Sequence, residues 1–162
     1  MADSQSTTRY RLQALAAIAV VVILVAWLGM PTFNKWRADR FVDELCAKDG
    51  GIKVYEAVRL PEERFDKFGE IYVPSLKEAK PMDEFYYVSE TQWIKKSDDV
   101  FALVMWRNHD RLFRAAENKL LGEAIGYSRR GGDPISPLHI SSYACPIDAD
   151  IKFVKQKVFV KN

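Results

Sequence analysis

Histidine and cysteine are scarce, two of each in 162 residues. His109 and His139 stand far apart with no HxxH or HExxH company, and Cys46 and Cys145 form no CxxC pair. A clustered metal site therefore has no ligand pattern to rest on, and no metal is expected. The phosphate-cradling patterns GxGxxG and GxxxxGK are missing, and so is the nucleophile elbow GxSxG. These gaps remove the dinucleotide-binding, P-loop and serine-elbow classes, and no cofactor is expected. A bias towards one charge is missing too. The 24 basic and 22 acidic residues leave a net charge of +2, whereas a nucleic-acid binder carries a marked basic excess; no nucleic-acid partner is expected. Low-complexity tracts and internal repeats are absent.

One absence is more telling. Residues 12–34, LQALAAIAVVVILVAWLGMPTFN, contain no charge at all. Over residues 12–30 the only polar side chain is Gln13. At 1.5 Å per residue this stretch spans roughly 29 Å, the thickness of a bilayer's hydrocarbon core. A buried core helix would show a polar face; this one has none. Tyr10 lies at one end and Trp27 and Trp36 towards the other, as in an interfacial aromatic belt. A cleaved signal peptide is the rival reading. The run is longer than a usual signal core, and LGMPTFNKW offers no small-x-small cleavage site, so an uncleaved signal anchor is favoured. The run also lacks GxxxG, which removes the usual sequence signal for helix pairing in lipid.

Orientation is less plainly written. Arg9 and Arg11 flank one side, and Lys35, Arg37 and Arg40 the other, so the positive-inside count does not decide. The cysteines supply a second criterion, because both lie beyond the apolar run. One disulfide in an exported domain is the preferred reading; two buried thiols in a cytosolic domain is the alternative. A bridge between them would close a loop of about 100 residues, worth roughly 4–5 kcal/mol in the loop-entropy model. The expected organisation is a cytoplasmic tail (1–11), a transmembrane signal anchor (12–30) and a periplasmic α+β domain (34–162).

Composition supports a folded domain there, with 48% apolar and 28% charged residues overall. NKWRADRFVDELCAKDGG reads as a helix capped by Asn34 and stopped by Gly50-Gly51, with Phe41, Val42, Leu45 and Cys46 on one face. IKVYEAV alternates as a strand. LPEERFDKFG reads as a short helix, followed by a proline-marked loop. Residues 84–94 and 100–107 read as strands, the latter central and buried on both faces. Residues 111–115 and 119–129 flank an AENK hairpin turn. IKFVKQKVFV, 151–160, changes the parity of its apolar positions midway and reads as a bulged or broken strand. The sum is an antiparallel curved sheet of about five strands, packed by one long and one short helix.

Residues 127–139, YSRRGGDPISPLH, hold the candidate site. Arg129 and Arg130 offer bidentate donors, Gly131-Gly132 lets backbone amides converge, and Asp133 and His139 complete a candidate anion- or partner-binding set. The competing reading is a strand exit, in which the glycines take positive φ and Asp133 pairs Arg129 or Arg130 locally. A Cys145–His139 catalytic pair is a third, weaker reading, since a disulfide would consume the thiolate.

Two stretches, ELCAKDGGIKVYEAVRLPEERFDKFG and LLGEAIGYSRRGGDPISPLHISSYACP, resemble an uncharacterised family of small, membrane-anchored bacterial envelope proteins. The resemblance covers about a third of the chain. It implies a bacterial source and an N-terminal anchor, places both cysteines inside recognisable motifs, and implies no activity or ligand. The functional expectation is a single-pass protein of the bacterial inner membrane with a periplasmic binding or scaffolding domain and no catalysis. Its partners would be the lipid bilayer and another envelope protein, met by the 129–139 loop and the aromatic strand 86–93. An envelope exclusion or immunity-type factor, and a small hydrolase-like enzyme using Cys145 and His139, are the alternatives.

Overall fold

The computed structural model describes residues 3–99, 101–133 and 140–162, with the side chains of residues 3–12 and 28 left aside. The first element is a single helix, α1 (Asp3–Asp49). At 1.5 Å per residue it is about 70 Å long. Its apolar stretch matches a membrane span in length and composition, and the described side chains there pack against nothing in the chain. Pro31 lies inside the helix without ending it. The expected cap at Asn34 is therefore not used: the anchor and the domain's first helix are one element. Proline removes one backbone donor but does not force a stop where the surrounding turns persist.

Five strands follow in one antiparallel sheet. β1 (Gly51–Val54) pairs β5 (Lys119–Arg130), which pairs β4 (Val104–Arg114), which pairs β3 (Phe85–Lys95). β6 (Ser142–Cys145) pairs the end of β5, with Tyr127 opposite Cys145 and Arg129 opposite Tyr143. The α+β class and the AENK hairpin between β4 and β5 agree with the sequence reading. The central strand begins later than expected, at Val104, because Phe101 and Ala102 turn the chain.

Two local expectations fail. LPEERFDKFG forms only a 3-10 turn, Glu62–Arg64. The expected strand at 151–160 is instead α2 (Ile151–Val158), followed by β7 (Phe159–Lys161). The carboxylate of Asp150 accepts from the Lys152 amide, a helix N-cap. Ile151, Val154 and Val158 then recur at i, i+3 and i+7 along one face. The parity change was a helical period. β7 pairs in parallel with β2 (Val58–Leu60), so IKVYEAV also divides, between β1 and β2.

The domain is three layers deep at β5. Alternate residues of a strand face opposite sides: Ala124 faces α2 and Ile125 faces α1. On the α2 side, Leu112, Leu121, Val154 and Val158 are fully buried. Gly122 allows this approach, since a Cβ there would lie 2.9 Å from Val158 and 3.1 Å from Val154. Leu121 is an unpaired bulge residue between Gly122 and Leu120, and it still joins this core.

Candidate functional site

The residues singled out at 127–133 lie against the part of α1 that follows the apolar span. Helical geometry puts Lys35, Asp39, Val42, Asp43, Cys46 and Asp49 on one face of α1; Lys35 meets the loop after β5 and the others meet the sheet. Val42 is fully buried against Ile125 and Tyr127. Cys46 bonds Cys145 on β6, with the two Cα atoms 5.9 Å apart. The disulfide reading holds and the thiol alternative does not; Cys145 consequently has no free thiol to serve as a nucleophile.

Polar ties run the length of this seam. The Arg129 guanidinium, only 2% exposed, grips both carboxylate oxygens of Asp39, with Nη2 at 3.1 Å from Oδ2. Its Nη1 donates to Ser141 Oγ at 2.8 Å and to the carbonyls of Gly131 and Ser141. Lys35 Nζ donates to Asp133 at 2.8 Å. Tyr143 donates to Asp43 at 2.6 Å, and Tyr127 to Asp49 at 2.7 Å. Arg107 on β4 reaches Asp49 at 3.3 Å and also donates to the Tyr127 oxygen at 3.2 Å.

These contacts shift the groups that make them. Burial, then the bond to Asp49, pushes the Tyr127 phenol up. Burial works against the charge of Asp49, but hydrogen bonds from Tyr127 and Arg107 outweigh it and hold its pKa below the ordinary value. The bond to Asp43 raises Tyr143. Lys35 and the Ser141 amide together hold Asp133 at about 2.

Asp133 therefore pairs with Lys35 on α1, and not with Arg129 or Arg130 as the sequence suggested. The glycines do not form an open anion cradle either. Gly131 N–H donates to Ser141 O at 3.0 Å and Gly132 N–H to Phe101 O at 3.1 Å, so the chain already occupies both amides. Their φ values, 81° and 85°, and the closeness of Ala102 O (2.3 Å from a Cβ at Gly131) explain why glycine is needed at both. Arg130 is exposed and makes none of the seam's contacts. His139 lies outside the described residues. On the aromatic strand, Tyr86 stacks on Phe113, while Trp93 stays half-exposed beside Trp106.

The acidic residues of α1 were not singled out from the sequence. A legible signal existed: Lys35, Asp39 and Asp43 repeat every four residues on the face that carries Cys46. Their partners lie 90 or more positions away, which no local pattern shows. Comparison of the chain with protein-family models, curated proteins and solved structures found no match.

Proposed function

We propose that the chain is a single-pass protein of the bacterial inner membrane whose periplasmic domain binds or scaffolds another envelope protein, without catalysis. The observation that carries the reading is the unbroken α1, apolar along one part and pinned to the sheet along the other. Such a helix couples the domain's orientation to the bilayer, which a flexible linker would not do. A binding or scaffolding module needs that coupling if it meets partners in the same membrane. The disulfide supports an oxidising compartment, and the motif resemblance supports a bacterial envelope origin. The internal use of Arg129 and Asp133 narrows the partner-facing surface to Arg130 and the half-exposed Trp93.

The test has two arms. A reporter fused after Asn162 should be active only when exported; activity confined to the cytoplasm overturns the topology. A photocrosslinker at position 93 should trap a protein partner in cells, and Arg130→Glu should weaken that capture. Capture that is unchanged by the charge reversal removes this loop from the interface.

A further inference from the structure

A cleft of about 650 Å³ opens beside the point where the apolar span ends. One wall is the α1 segment from Pro31 to Phe41, and the other is the Lys95 end of β3 with Phe101 to Leu103. Pro31 directly follows the apolar run, so with α1 spanning a bilayer the mouth sits in the headgroup layer, which adds about 5–8 Å on each side of the hydrocarbon. The cleft is amphipathic. Phe41, Leu103 and Met105 give it an apolar floor, and Arg37 and Lys95 stand at its walls.

The charges do not cancel within the chain. Asp133 also borders the cleft, but its carboxylate is held by Lys35 and Ser141. Among the described residues Arg37 has a ring contact, its guanidinium carbon 6.0 Å from the Phe33 centroid, and neither Arg37 nor Lys95 joins an ion pair. Exposed aromatic side chains ring the same level: Phe33 and Trp36 on the helix and Phe101 on the facing turn. Aromatics of this kind favour the membrane–water interface.

We propose that this cleft holds one anionic phospholipid of the leaflet in which the apolar part of α1 ends, its phosphate between Arg37 and Lys95 and its acyl chains leaving past Pro31 along the groove at Trp27 and Met30. The proposal rests on the membrane-spanning reading of α1. Charge complementarity selects an anionic over a zwitterionic headgroup, and continuity with the span selects a membrane lipid over a soluble anion.

The test is native mass spectrometry of the full chain, released from nanodiscs of phosphatidylcholine mixed with phosphatidylglycerol. Each cation near an anionic headgroup contributes about a five-fold preference, so two give about 25-fold. The wild type should retain phosphatidylglycerol by that order. R37Q/K95Q should lose the preference, and K77Q, which alters an exposed cation outside the cleft, should keep it. An intact disulfide and an unchanged denaturant midpoint in the double variant establish that it is folded. A chain that fails to enter nanodiscs overturns the spanning reading itself. A chain that enters but shows no preference, or keeps it in R37Q/K95Q, overturns the cleft proposal alone. A dimer whose fraction falls in R37Q/K95Q would put a second copy in the cleft and also overturn it.

Discussion

The two faces of β5 are held by different physics. Towards α2 the contact is mostly dry: Leu112, Leu121, Val154 and Val158 interlock, with Phe85 edge-on to Phe159 at 4.8 Å, and one buried carboxylate, Asp110, accepts from Ser89 and from the Ile151 amide at the start of α2. Towards α1 the buried apolar contact is small, centred on Val42 and Ile125, and the rest is a row of charged and phenolic ties with one covalent bond. Apolar burial is non-directional; it holds a short helix wherever shapes fit. Ion pairs and a disulfide fix register and angle. The helix that enters from the apolar span is the one fixed this way, because a long lever magnifies any error in its docking angle.

The largest expected effect breaks the covalent tie. Cys46→Ser with Cys145→Ser should lower the stability of the full chain in mild detergent by about 4 kcal/mol, near the value for a loop of about 100 residues. A denaturant midpoint checks it. A loss below about 1 kcal/mol would mean that the polar row holds the helix unaided. Next, Leu112→Ala on the dry face should cost about 3 kcal/mol, since the residue is fully buried and a cavity remains. The two faces share β5 but their buried clusters are separate, so these losses should add to within about 0.5 kcal/mol. Clear non-additivity would mean that the sheet transmits strain between its faces.

How far the sequence could be read follows the same division. The apolar span, the aromatic and β-branched strands and the AENK hairpin are local patterns, and they were legible. The α2 face was half legible. Ile151, Val154 and Val158 carry a helical period, but over so short a segment it also resembles an interrupted strand, and the Asp150 cap is what decides. The α1 face was legible in its apolar line, Val42, Leu45 and Cys46, though Phe41 turns outward, and its polar ties were not legible. Arg129 looks like a ligand-binding arginine in sequence, and only the fold shows its fork closed on Asp39. The unbroken passage through Pro31 was hidden for the opposite reason: the local signal of a helix boundary was real, and the context overrode it.

Arg129→Ala should come third, at about 2 kcal/mol. Breaking a fully buried pair costs more, about 3–5 kcal/mol, but the Asp39 side chain is 29% exposed and regains water once freed. The discriminating measurement is disulfide reduction at limiting reductant. Arg129→Ala should accelerate it by loosening the seam, whereas Leu112→Ala should change it little under conditions where both variants remain folded. Equal acceleration would remove the distinction between the faces.

The smallest effect is titratable. Asp133 falls from an ordinary 3.8 to about 2 through Lys35 and the Ser141 amide. A carboxylate whose folded pKa is depressed stabilises the fold above its unfolded pKa, and that contribution fades as pH falls through the folded value. The tie at the end of the seam nearest the apolar span should therefore be intact at pH 4 and above and released between about pH 4 and 2. A carbon-13 titration of the Asp133 carboxyl should show a midpoint of about 2 in the wild type. In Lys35→Gln it should move up towards 3.8 without reaching it, because the Ser141 amide still donates at 2.7 Å. A midpoint that ignores the loss of Lys35 would mean that α1 is not held to the loop there, and the row of ties would begin only at Asp39.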